Sequence, residues 1–195
     1  MHGVACHPHL PRVVFGDYKG IVQLWDYEKK SIICTRHFPK SYQVHSLRFD
    51  PQGNHIVVGF RNGHLQIVDA ISLDDCLLHP FTYSKEAITH IEFSHDSSFM
   101  ATAEADFTVS VYKYNFMSGL HDEKNGHEKI ATELYTFLGR YRSHYKEIVS
   151  LMFGLHPGTT QIRLLSLGKD RLLCEYDLEK SNYDELIIKV RFFNY

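Results

Sequence analysis

The sequence has 195 residues, which is enough for one domain with a substantial core. Its hydrophobic content is 44% and its aromatic content 13%, a composition that excludes a disordered chain. The formal net charge of -2 provides no overall field that would attract nucleic acid or an anionic membrane, so neither is expected as a partner.

The cysteines predict a reducing compartment. The four of them are far apart and form no C-x-x-C pair: Cys6, Cys34, Cys76 and Cys174. No stretch approaches the roughly 18 apolar residues of a membrane helix, and no signal-peptide pattern follows Met1. These features predict a cytoplasmic location.

The first repeat unit is predicted over residues 4–43. Its strand-like segments read V-A-C, R-V-V-F-G, I-V-Q-L-W-D and S-I-I-C-T-R-H-F. Alternation of apolar and polar residues is clear from Ile21 to Trp25, and D-Y-K-G before it predicts a tight turn. The third segment ends in the dipeptide Trp25-Asp26.

The second and third units repeat this order over residues 44–87 and 88–147. Asn62-Gly63 separates two apolar runs and predicts a hairpin. The third unit contains a polar insertion at 115–129, for which we predict a solvent-facing tip. Its last strand is predicted in L-Y-T-F-L-G-R.

The fourth unit, residues 148–195, contains the most complete polar set. A final strand is predicted from Glu185 to Val190. The spacing supports the repeat, because Phe49 and Phe93 both end a first strand and lie 44 residues apart. A period of about 40–45 residues is typical of one four-stranded propeller blade.

These segments resemble the WD-repeat β-propeller family over essentially the whole chain. The resemblance implies that His144, Ser166, Asp170 and Tyr176 form a hydrogen-bonded chain that holds the fourth blade together, with a partial set in the third blade: Thr102, Asp106 and Tyr112. The first two blades lack most of the set. We therefore predict an all-β WD-repeat propeller of about four blades with four antiparallel strands each.

Within that family, F-S-H-D-S-S-F-M-A-T-A and R-L-L-S-L-G-K-D-R-L-L-C-E-Y-D-L are similar to its ciliary and flagellar branch. This resemblance implies a non-catalytic scaffold on the axoneme, a cytoskeletal structure, with radial-spoke-base components and a calmodulin-containing complex as partners. It also implies that the chain is part of a longer protein. Four blades are fewer than the usual ring of about seven, so we expect an open arc with apolar end faces.

Three groups of residues have side chains that are typical of catalytic or metal sites. Ser166, His144 and Asp170 have the residue types of a hydrolase triad, but no G-x-S-x-G elbow is present and their repeat positions favour a structural role. The cluster His2, Cys6, His7 and His9 matches no zinc spacing, and Cys6 aligns with core phenylalanines. A calcium loop through residues 121–128 would place His121 at its first position and Thr132 at its twelfth, where acidic residues are required, so no metal and no cofactor is expected.

Two basic sets were interpreted as a solvated rim, with an acidic partner as the alternative: Arg140, Arg142, Lys146 and Arg171, and Arg36, His37 and Lys40. A second class of scaffold was also considered, the substrate receptor of a ubiquitin ligase. Such propellers carry Trp-Asp-x-Arg, whereas Trp25-Asp26-Tyr27 is followed here by Glu28.

Overall fold

A computed structural model describes residues 3–115, 134–182 and 184–193. The described residues form fifteen strands, which confirms the predicted all-β class. Nowhere in these three ranges is there a helix long and apolar enough to cross a membrane.

The first unit is a four-stranded antiparallel sheet in chain order. Its strands are β1 (Gly3–Cys6), β2 (Arg12–Gly16), β3 (Ile21–Asp26) and β4 (Ser31–His37). The turn between β2 and β3 forms because the Asp17 carboxylate accepts the N–H groups of Lys19 and Ile21 at 2.8 and 2.9 Å. Gly20 has a φ of 80°, a conformation that glycine adopts without steric cost.

The second unit departs from the four-stranded expectation. Its regular strands are β5 (Val44–Phe49), β6 (His55–Phe60) and β7 (Leu65–Asp69). The outer segment pairs with β7 at the isolated bridges Leu65–Phe81 and Val68–Asp75, and the Cys76 N–H donates to the Ile67 carbonyl at 2.9 Å. Pro80 lacks the N–H that a ladder requires, and the amide of Gln66 donates to the Leu77 carbonyl in place of a backbone partner.

The third and fourth units share one eight-stranded sheet. Its strands are β8 (Ile88–Phe93), β9 (Phe99–Glu104), β10 (Thr108–Tyr114), β11 (Tyr135–Arg142), β12 (Ile148–Leu155), β13 (Ile162–Gly168), β14 (Leu172–Asn182) and β15 (Asp184–Phe193). The junction between the units is a short parallel pairing of β11 with β15, at Gly139–Asp184 and Arg140–Glu185. The predicted insertion at 115–129 lies outside the described residues from position 116 onward.

The hydrophobic core lies between successive units as three clusters. We call the face of a unit that is turned toward the next unit its trailing face, and the opposite one its leading face. The innermost strands β1, β5, β8 and β12 contact one another in that order. Within the described residues β1 and β12 share no packing of comparable extent, which agrees with an open arc.

Candidate functional site

The four polar residues singled out in the fourth unit lie in one hydrogen-bonded network. The Nδ1 atom of His144 is 3.1 Å from both carboxylate oxygens of Asp170, and its Nε2 atom is 2.7 Å from Ser166 Oγ. The hydroxyls of Ser166 and Tyr176 are 2.7 Å apart. Tyr176 also donates to Ser143 Oγ at 2.6 Å, so the chain of bonds extends by one residue that the sequence pattern did not indicate.

Four parts of the fold position this network. Ser166 lies on β13 and Tyr176 on β14, whereas His144 precedes β12 and Asp170 lies in the turn between β13 and β14. Asp170 also accepts the N–H groups of Leu172 at 3.0 Å and Tyr145 at 3.1 Å. Burial alone would raise the pKa of Asp170, but these backbone bonds and His144 together hold its pKa below the usual value. The network therefore ties two loops to two strands.

The network is too deeply buried for Ser166 to act as a nucleophile on a substrate. Ser166 and His144 are 1% and 3% exposed, and Tyr176 is 2% exposed. Ser166 Oγ lies 2.7 Å from the Tyr176 hydroxyl and 2.7 Å from His144 Nε2, so protein groups already occupy both of these positions. The arrangement can stabilise a blade, but it offers a substrate no path to the hydroxyl.

We expect Ser166→Ala to lower the free energy of unfolding by about 1–3 kcal/mol, because His144 and Tyr176 each lose a buried hydrogen-bond partner. Urea unfolding followed by tryptophan fluorescence measures the loss. Ser31→Ala, at an exposed position of β4, is the control and should change stability by less than about 0.5 kcal/mol. Equal stability of the two variants would contradict a stabilising network.

The partial set of the third unit is not joined in the same way. Thr102 and Tyr112 are buried, while Asp106 accepts the N–H of Thr108 at 3.1 Å. Ser84, at the position of the missing histidine, bonds to Glu86 of its own loop. Within the described residues no histidine therefore connects Asp106 to the loop that precedes β8.

A different cluster connects these parts of the third unit. Arg140 donates to the carbonyl of Tyr83 and lies 3.2 Å from the carboxylate of Glu104, which also accepts the Ser110 hydroxyl at 2.5 Å. Arg140 lies 3.7 Å from Asp106 as well. Burial raises the pKa of Glu104, an effect that Ser110, Ser84 and Arg140 oppose. The assignment of Arg140 to a solvated rim was wrong, because its head group enters this cluster.

The other basic residues differ among themselves. Arg36 reaches across to the second unit, where it is 2.5 Å from both the Leu73 carbonyl and the Asp75 carboxylate. Arg142 lies over the Phe107 ring at 5.6 Å. His37, Lys40, Lys146 and Arg171 are exposed, as expected for a rim.

The two residues of the dipeptide Trp25-Asp26 in the first unit have different environments. The Asp26 carboxylate is buried and accepts the N–H groups of Glu28 and Lys29 at 3.1 and 2.9 Å, which closes the turn before β4. Trp25 is half-buried and points to the leading face of the unit, beside a groove of about 290 Å³.

The N-terminal histidines and cysteine do not form a metal site in the described part of the chain. Cys6 is exposed, so its assignment to the core was wrong. His7 Nδ1 accepts the N–H groups of His9 and Leu10, which stabilises the turn after β1. Over residues 3–115, 134–182 and 184–193, no three His, Cys, Asp or Glu side chains are grouped as metal ligands. His2 and the 121–128 segment lie outside these ranges.

The strands nearest the axis of the arc border a second groove of about 380 Å³. Its walls include Cys6, Phe49 and Phe93, and the ion pair between Arg48 and Glu92 at 2.7 Å crosses it. Burial raises the pKa of Glu92, although Arg48 acts in the opposite direction. The groove therefore has mixed apolar and charged walls.

Comparison with known proteins agrees with the fold. The Anaphase-promoting complex subunit 4 WD40 domain family matches residues 19–96. Cilia- and flagella-associated protein 251 from Mus musculus is 42% identical over 186 residues, which are 95% of this chain and 13% of that protein. The protein of the same name from Chlamydomonas reinhardtii is 29% identical over 92% of the chain and 20% of its own length.

A solved structure extends the comparison to three dimensions. The crystal structure of Saccharomyces cerevisiae Sqt1 superposes with a TM-score of 0.71 at 14% sequence identity, covering 98% of this chain and 46% of that one. The chain thus corresponds to about half of that structure and to a small part of its curated relatives. The repeated antiparallel units and these similarities show that the chain has a WD-repeat β-propeller fold and is similar to a segment of cilia- and flagella-associated protein 251.

Proposed function

We propose that the chain is a non-catalytic protein-interaction scaffold of the axoneme in motile cilia and flagella, associated with radial spokes and supporting ciliary and sperm motility. The observation that carries this proposal is the 42% identity to a relative named for cilia and flagella over 95% of the chain. The fold supports a binding role, because rigid blades hold variable loops at their rims. The proposed partners are proteins at the base of radial spokes, including a calmodulin-containing complex.

Retention on axonemes tests the proposal. The tagged chain is expressed in ciliated cells, the cilia are demembranated, and the axonemes are washed with salt. We expect the chain to remain with the axonemes, and its absence from both washed and unwashed axonemes would contradict axonemal binding. A variant with Trp25→Lys, which places a charge on an apolar open face, separates docking through that face from docking through the loops.

A substrate receptor of a ubiquitin ligase is the second candidate. The dipeptide Trp25-Asp26 belongs to the motif of such receptors, but Glu28 stands at the position of the arginine. The Asp26 carboxylate is also engaged by its own turn. Co-purification with a ligase adaptor, together with absence from axonemes, would favour this candidate over the first.

A further inference from the structure

One edge of the arc is built from loops of all four units. Neighbouring strands within a unit run antiparallel, so the turn between its second and third strands lies at the same end as the loop that leads to the next unit. In three units a backbone N–H of that turn donates to a carbonyl of the preceding loop at 2.8–2.9 Å, through the pairs Arg61 with Gln43, Ala105 with Ala87, and Lys169 with Glu147. The turns and loops therefore form one continuous edge.

Exposed cations occur along the whole of this edge. In its first half they are Lys19, Lys40, Arg61 and Lys85, and in its second half Arg142, Lys146 and Arg171. We call these seven side chains the cationic edge. Within residues 3–115, 134–182 and 184–193 none of the seven forms an ion pair. Their charges are therefore available to a partner.

Few carboxylates offset these charges. The exposed carboxylates of the same turns and loops are Glu86 and Glu147, and Glu147 already pairs with Lys169. Asp17 and Asp106 accept backbone N–H groups of their own turns. The whole chain has a formal net charge of -2, so the positive charge is a local property of this edge. The opposite edge of the arc carries exposed carboxylates, among them Glu28, Asp74 and Asp96.

The backbone of Arg171 is in a conformation that a side chain disfavours. Its φ is 65°, in the left-handed region, and its N–H donates to the carbonyl three residues earlier. Gly20 and Gly63 make the same bond at this turn position in the first two units, with φ values of 80° and 82°. Glycine avoids the steric cost that arginine bears there. Strained backbone of this kind at an exposed cation indicates a role for its side chain in binding.

The side chains beside this turn are also held in place. Tyr145 is 61% exposed, and its N–H donates to the Asp170 carboxylate at 3.1 Å while its hydroxyl donates to the Asp170 carbonyl at 3.4 Å. In the third unit the guanidinium of Arg142 lies over the Phe107 ring at 5.6 Å. Side chains that are ordered in advance lose less conformational entropy when a partner binds.

We propose that the cationic edge binds an acidic polypeptide, a segment with several consecutive glutamates, and that Arg171 and Lys146 are principal contacts. Guanidinium groups pair with carboxylates in bidentate geometry, and an exposed tyrosine is typical of protein interfaces. A nucleic acid is less suited, because a duplex with one charge per roughly 1.7 Å would place phosphates beside Glu86 and Glu147 as well. Flexible glutamate side chains can be directed to the cations alone. The proposal goes beyond the axonemal assignment, since it concerns a property of the edge in solution.

Fluorescence anisotropy of a labelled decaglutamate peptide tests this proposal. We expect the wild-type chain to bind it, and to bind it more weakly as salt rises from about 50 to about 200 mM. Arg171→Gly removes the cation and relieves the strained backbone, so the melting temperature should stay equal or rise while the dissociation constant increases at least about threefold. Adding Lys146→Gln should bring the increase to about tenfold or more.

Lys30→Gly is the matched control. Lys30 is also an exposed cation with a left-handed backbone, at a φ of 52°, but it lies in the turn between β3 and β4 at the opposite edge. The variant removes the same charge and relieves the same kind of strain, and it should leave the affinity for decaglutamate nearly unchanged.

Three outcomes would overturn the proposal. The first is that the wild-type chain does not bind decaglutamate, and the second is that Lys30→Gly weakens binding as much as Arg171→Gly does. The third is that duplex DNA or phosphatidylserine vesicles bind more tightly than the peptide and with the same sensitivity to Arg171→Gly, which would assign the edge to a nucleic acid or a membrane. Circular dichroism of each variant shows whether the sheets are retained.

Discussion

Arg140→Met is expected to lower the free energy of unfolding by about 2–4 kcal/mol at pH 7, because it leaves the Glu104 carboxylate buried without its cation. The side chain of Glu104 is fully buried, whereas that of Arg140 is about one-third exposed, so the loss should lie toward the lower end for such pairs. The hydrogen bond to the Tyr83 carbonyl is lost as well. Urea unfolding at a fixed temperature measures the difference.

The same variant should be less destabilised in acid. Burial raises the folded-state pKa of Glu104 above its ordinary value of 4.5, so the folded protein binds more protons than the unfolded chain between these two pKa values. The stability that Glu104 contributes therefore falls as the pH rises from its ordinary pKa to its folded-state pKa. Loss of Arg140 raises the folded-state pKa further and so widens this pH range. We expect the deficit of Arg140→Met to be smaller at pH 5 than at pH 7.

Arg142→Met is the control for this prediction. Among the contacts described, the Arg142 guanidinium lies over the Phe107 ring and is not paired with a buried carboxylate. It should cost less than about 1 kcal/mol at either pH. In the double variant Arg140→Met/Glu104→Gln, the charge is removed together with its partner, and part of the stability should return. A deficit of equal size at both pH values would show that packing, and not the carboxylate, explains the effect.

Gly139→Val is expected to destabilise the fold by about 2–3 kcal/mol through steric overlap at the parallel junction of β11 and β15. A Cβ atom at position 139 would lie 2.6 Å from the carbonyl carbon of Glu185 and 2.8 Å from its oxygen. These are backbone atoms, which cannot rotate away as a side chain can. Leu186, the residue after Glu185, is 1% exposed and lies in the core shared by the third and fourth units. Separation of β11 from β15 would expose it.

Thermal unfolding measures the loss of stability in Gly139→Val. The amide hydrogens of residues 185–190 should also exchange faster than in the wild-type chain. Gly154→Val is the control, because the nearest atom to an added Cβ there is Cγ of Arg163 at 3.9 Å. It should leave the melting temperature nearly unchanged. If Gly139→Val were as stable as Gly154→Val, the junction would not contribute to the stability of the fold.

The strands could be predicted because their signals are local. Alternation from Ile21 to Trp25 and the turn residues before it specify a hairpin without reference to the rest of the chain. The polar network of His144, Ser166, Asp170 and Tyr176 was implied by the resemblance to the WD-repeat family, in which each of these positions has a fixed place in a four-stranded unit. Their identification from sequence depended on that resemblance.

The contacts of Arg140 could not be predicted in the same way. The residue lies 57 positions after Tyr83 and 36 after Glu104, and no pattern of neighbouring residues relates it to either. The exposure of Cys6 was misjudged for a related reason. Alignment with the core phenylalanines indicates which side of a strand it occupies, but not whether another unit covers that side.

The sequence by itself therefore determined the class of fold and the order of the strands, because period-2 alternation and turn chemistry act over a few residues. The members of the polar network came from the resemblance to the WD-repeat family. Only the tertiary structure decided how the units are joined and which faces remain open. The β11–β15 junction and the cluster of Arg140 with Glu104 each unite segments that are distant in the chain, and their stability depends on burial, which arises only when the units pack.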